Sequence, residues 1–229
     1  MTGPDRALVD DVRAALAAVA DPERAVAMQS YMKSAMPFRG APKPVQVAAL
    51  RPVLAAHPVT DRATWDATIR ELYDGATFRE ERYAALAVLD LRAARAWRDP
   101  DLVRLLEHLV VTGAWWDLVD VVAGRQVAPL HRAFPAEMAS VVRRWAEHDD
   151  LWLRRTAILS QLGSGLATDH ALLTDVIEAN AASREFFHRK AIGWALRDLA
   201  WKDPEWVRTF VQMHPDLSPL SRREALKNL

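Results

Sequence analysis

Apolar side chains recur at i, i+3, i+4 and i+7 from one end of the 229-residue chain to the other, and nowhere do they alternate with polar ones over a strand's length. That spacing gathers apolar groups onto one stripe of an α-helix, whereas a half-buried strand needs a period of two. The chain is therefore expected to be all-α. Helix breakers recur at Asp21-Pro22, Gly40 to Pro44, His57-Pro58, Asp74-Gly75, Asp99-Pro100, Gly113, Gly124, Pro135, Gly163 to Gly165, Asp203-Pro204 and Pro215. They divide the chain into helices of roughly three to five turns joined by short connections. Pro52 falls inside an otherwise helical stretch, where a kink or a helix end is expected.

An internal echo bears on how these helices are arranged. Asp99-Pro100-Asp101-Leu102-Val103-Arg104 returns as Asp203-Pro204-Glu205-Trp206-Val207-Arg208, and Asp21-Pro22-Glu23-Arg24 is a weaker third copy. Each reads as a helix start: Asp caps free amides, Pro suits the first helical position, and the acid that follows favours the positive end of the dipole. Similar helical units joined by short loops suggest a HEAT-like solenoid of antiparallel helix pairs rather than a closed bundle. No strict repeat period is visible. A single domain spanning residues 1–229 is expected.

Charge and composition narrow the chemistry. Thirty basic and thirty acidic residues give a formal net charge of +0, which argues mildly against a nucleic-acid partner. Distribution points the other way, because Arg24, Lys33, Arg39, Lys43 and Arg51 occur between Arg24 and Thr60 with no acid among them. Such a run makes a basic face, or simply a solvated one. With no Cys there is neither a disulfide nor a thiolate zinc site. The seven His form no i, i+4 metal pair, and phosphate-binding and nucleophile-elbow motifs are missing. No metal or cofactor is expected. Charged residues before Asp11 interrupt any leader-type apolar run, so a soluble, unprocessed, cytoplasmic protein without a membrane partner is expected.

Three residue groups stand out against this helical background. At about 100° per residue, a helix from Ala114 to Ala123 gathers Trp115, Leu118, Val119 and Val122 into its apolar stripe. Trp116 lies on the margin of that stripe with Asp120 one turn later, while Asp117 faces solvent. An exposed aromatic beside a carboxylate is one reading of this pair; an ordinary surface ion pair is the plainer one. On the helix after Glu185, Ile192, Ala195, Leu196 and Leu199 make the core stripe and Trp194 lies almost opposite, flanked by Lys190 and Arg197. That face suits stacking beside a phosphate backbone, and equally packing on another helical layer. Arg155 falls within the apolar arc of Leu151, Trp152, Ile158, Leu159 and Leu162. A buried Arg needs a partner, either a carboxylate such as Asp120 or a charged ligand.

In these segments the chain resembles the AlkD-type DNA glycosylases, the HEAT-like-repeat family of bacterial alkylation repair. The resemblance runs through Tyr31-Met32-Lys33, Trp115-Trp116-Asp117-Leu118-Val119-Asp120 and Leu151-Trp152-Leu153-Arg154-Arg155. It is closest in Phe186-Phe187 with Lys190-Ala191-Ile192-Gly193-Trp194-Ala195-Leu196-Arg197, and in Leu217-Ser218-Pro219-Leu220-Ser221-Arg222-Arg223-Glu224-Ala225. It implies a right-handed type of solenoid with a concave DNA-binding face. It further implies Asp120 as the catalytic carboxylate, Trp116 and Trp194 against the damaged nucleotide, and Arg155 gripping DNA, with Tyr31 added to that surface. The family often carries Lys-rich sequence after the Arg155 helix, where this chain has Gly163-Ser164-Gly165-Leu166.

The chemistry so implied is hydrolysis of the N-glycosidic bond of N3- or N7-alkylpurines in duplex DNA by a monomer. A purine alkylated there is cationic and leaves without protonation, so one carboxylate suffices to stabilise the developing oxocarbenium charge. Indole faces favour the cationic nucleotide. The resemblance implies that this proceeds without extruding the base into a pocket. The other class of function consistent with these residues is a DNA-binding or protein-scaffolding helical module without catalysis.

Overall fold

The computed structural model describes residues 3–229, which form fourteen α-helices with short 3-10 and π segments and, among the described residues, no strand. No described helix is long and apolar enough to cross a membrane. The chain divides into two compact units, the first ending at Trp97 and the second running Arg98–Leu229.

In the first unit α1 (Arg6–Ala18), α2 (Pro22–Met32), α3 (Lys43–Ala56), α4 (Arg62–Asp74) and α5 (Arg79–Leu89) follow one another. Asp5, Asp21 and Asp61 each accept a backbone N–H from the first turn of α1, α2 and α4, which supplies the caps those helix starts need. α1 packs on α3, α4 and α5, burying Val12 and Leu16 with Ile69, Leu72 and Tyr73. Pro52 neither ends nor shortens α3, which continues to Ala56. The loop before α3 is held from beneath, because the buried Glu80 carboxylate accepts both the Arg39 and Gly40 amides at 2.9 Å. Gly40 is required there. Its φ is +86°, and a Cβ would lie 2.0 Å from the Asp21 carbonyl oxygen.

The second unit contains α6 (Val103–Gly113), α7 (Trp116–Val122), α8 (Ala128–Ala133), α9 (Pro135–Ala146), α10 (Leu151–Ile158), α11 (His170–Ala181), α12 (Phe186–Ala200), α13 (Pro204–Met213) and α14 (Pro219–Ala225). From α9 onward each helix packs on the next, and α9 also meets α11, α10 meets α12, and α12 meets α14. Contact with both the next helix and the next but one is how stacked helix pairs bury a continuous core. α10, α12 and α14 thus form one layer. The repeated Asp-Pro starts behave as expected at both later copies: Asp99 opens the 3-10 turn Pro100–Leu102 and Asp203 caps α13.

Two local readings of the sequence are corrected here. Gly124 does not break its helix, because α7 runs through a π turn, Ala123–Val127, straight into α8. Pro129 accounts for this: it has no N–H for the carbonyl four residues back, and the wider turn pairs the Ala128 N–H with the Ala123 carbonyl instead. The second correction is that α7 begins at Trp116 and not at Ala114. Ala114 takes a left-handed conformation (φ 41°) after α6, and Trp115 is extended (φ −157°, ψ 146°).

Candidate functional site

Asp120 and Arg155 meet at the centre of the second unit's polar chemistry. Arg155 Nε donates to Asp120 Oδ1 at 2.7 Å and its Nη2 to Oδ2 at 2.8 Å, a bidentate pair, while Nη1 donates to the Phe187 carbonyl at 2.5 Å. The Arg155 side chain is 4% exposed and that of Asp120 17%. The local sequence explains how Arg155 comes to be buried. Asp150 caps α10 by accepting the Trp152 and Leu153 amides, and the register this sets turns Arg155 inward among Trp152, Ile158 and Leu159. Of the two uses open to Arg155 from sequence, the structure displays the carboxylate partner. The fork geometry fixes the plane of the Asp120 carboxylate, which a lysine's point charge would not do.

A wall of aromatic rings adjoins this ion pair at Phe187. Trp115, Trp152 and Phe187 are mutually in contact, with ring centroids 5.8, 5.4 and 4.8 Å apart, and the Arg155 guanidinium carbon lies 5.8 Å from the Phe187 centroid. The Trp115 indole N–H is buried without a hydrogen-bond partner. Trp115 is thus part of the wall and not a residue of the α7 stripe, since it precedes the helix. Asp117 is half-buried rather than turned to solvent.

Trp116 is half-buried at the start of α7, one turn before Asp120. Trp194 is half-buried on α12, two turns or about 10 Å beyond Phe187. The cations flanking Trp194 are both engaged by one carboxylate: Lys190 Nζ lies 2.8 Å from Glu224 Oε1, and Arg197 Nη1 2.6 Å from Glu224 Oε2. The hydrogen bond from Lys190 pulls the Glu224 carboxyl below the ordinary carboxylate range, with Arg197 adding to it. Tyr31 is 75% exposed on α2, in the other unit.

Sequence reasoning missed Glu224, the Phe187 carbonyl and the wall made by Trp115 and Trp152. Glu224 lies two helices beyond the cations it pairs, and no periodicity within one helix reports such a contact. Gly193 is the signal that was there to find. On α12, a Cβ at Gly193 would fall 2.4 Å from Glu224 Cβ and 2.9 Å from the Ser221 carbonyl oxygen, so a glycine in mid-helix marks where α14 presses closest.

The fold and this centre define an α-helical repeat protein carrying a carboxylate–guanidinium pair that adjoins a wall of aromatic rings. The family model described as DNA alkylation repair enzyme matches residues 12–229. The chain belongs to the DNA alkylation repair enzyme family. It is also similar to the solved structure of a predicted DNA alkylation repair enzyme from Enterococcus faecalis, with 28% identity and a TM-score of 0.83, covering 92% of this chain and 96% of that one. No curated protein matches. DNA is accordingly the macromolecule this family acts on.

Proposed function

We propose that the chain is a DNA glycosylase that hydrolyses the N-glycosidic bond of cationic N3- or N7-alkylpurines in duplex DNA and leaves an abasic site. The observation that carries this reading is Asp120, whose side chain is partly exposed while Arg155 holds both its oxygens. A carboxylate already accepting at both oxygens contributes fixed negative charge and orientation. As the C1′–N bond breaks, its electron pair leaves with the alkylpurine, which becomes neutral, and positive charge develops on the sugar. Asp120 stabilises that charge without having to reorganise. Water then adds to C1′ and loses a proton. Trp116 and Trp194 present indole faces to the cationic nucleotide, each such contact being worth about 0.5–2 kcal/mol. Arg155 serves here as the residue that positions Asp120.

The same ion pair favours a second reading, a DNA-binding helical module without catalysis, in which Asp120 merely balances a buried Arg. Methylated duplex DNA separates the two. The glycosylase releases free 7-methylguanine or 3-methyladenine and leaves abasic sites above the spontaneous rate; a binding module releases neither.

A further inference from the structure

Five side chains of α12 and its cap share one face: Phe187, Lys190, Trp194, Arg197 and Trp201. At 100° per residue they fall within an arc of about 80°. Trp201 caps α12 with its backbone still in the right-handed helical region (φ −64°, ψ −19°), so it stays in register with Phe187 and Trp194 at intervals of seven residues. The cations form the edge of the arc next to α14, where Glu224 holds them, and the rings form the other edge. Phe187 and Trp194 are half-buried, whereas Trp201 is 71% exposed. Beside it the segment Gly165–Ala167 packs against α12, and carries Leu166, 79% exposed. That segment is tied down by the Gly163 N–H, which donates to the Asp198 carboxylate at 2.7 Å.

We propose that Trp201 is a further DNA-contacting residue, packing its indole on a backbone deoxyribose up to about three nucleotide steps from the nucleotide that Trp194 faces. The distance follows from the helix: seven residues advance about 10 Å, which spans roughly three steps of a strand. This rests on the glycosylase reading, because it takes Trp194 to face the lesion. Duplex DNA suits the surface better than a second copy of this chain does. An indole offers a flat apolar face to a deoxyribose ring, and Lys190 and Arg197, whose two charges exceed the one of Glu224 that holds them, together with the exposed Lys202 next to Trp201, suit a polyanion and would repel a like surface.

The test is binding of a duplex carrying a tetrahydrofuran abasic analogue at the lesion position, measured by fluorescence anisotropy for wild type, Trp201→Ala and Trp201→Phe. Trp201→Ala is expected to weaken binding by roughly fivefold or more, and Trp201→Phe to retain most of it. Equal affinity of Trp201→Ala and wild type overturns the proposal and leaves the glycosylase reading standing. A wild-type dimer that Trp201→Ala dissociates, with DNA affinity unchanged, also overturns it. If wild type binds no such duplex, both readings fail.

Discussion

Both ring nitrogens of His188 are committed: Nε2 donates to the Leu151 carbonyl at 2.8 Å, and Nδ1 accepts from the Ser183 hydroxyl at 2.9 Å. Burial pushes this imidazole below its ordinary value, because the charged form is the one that burial penalises. The unfolded chain takes up a proton near pH 6.5 and the folded one only at lower pH, so the contribution to stability is complete above about 6.5 and is lost as pH falls below it. In urea titrations, wild type is expected to lose stability relative to His188→Gln on acidification through that window. Parallel pH dependences would contradict this. The neighbouring residue, Phe187, receives Arg155, whose substitution makes a sharper expectation. Arg155→Ala strands Asp120 beside a hole and should cost about 3–5 kcal/mol of folding stability. Arg155→Lys should slow excision, because a point charge no longer fixes the plane of Asp120, and Arg155→Gln, which removes the charge, should leave the salt dependence of duplex binding unchanged. A slope reduced by about one would show instead that Arg155 reaches a phosphate.

At the scale of elements, the approach of α12 to α14 turns on one glycine. Gly193→Ala would set a methyl 2.4 Å from Glu224 Cβ, and relief of such a clash in a packed contact costs about 1–3 kcal/mol. A lowered urea midpoint at unchanged slope is expected; full stability would mean that α14 is free to shift. The elements also divide what the sequence discloses from what it conceals. The period of α12 was enough to turn Trp194 away from the core, and the apolar arc of α10 was enough to bury Arg155, because both follow from spacing within one helix. The start of α7 was concealed, since Gly113 marks the end of α6 but the left-handed residue is Ala114 and not a glycine, and with it the true place of Trp115. Glu224 was concealed because its partners lie two helices away.

Across the whole molecule, thirty cations balance thirty anions, yet the chain belongs to a family that acts on DNA. Neutral total charge sets no limit on such a protein when its cations are distributed unevenly. On the proposed glycosylase reading the chemistry lies in the second unit, at an ion pair on α7 and α10 whose carboxylate is partly open. The measurement that tests this most directly is single-turnover release of 7-methylguanine from methylated duplex by wild type and Asp120→Asn. Asn keeps the size of the side chain and removes its charge, so the rate is expected to fall about 10²- to 10³-fold, as on loss of a preorganised electrostatic group, with duplex affinity retained. Equal rates in the two proteins would contradict the role given to Asp120.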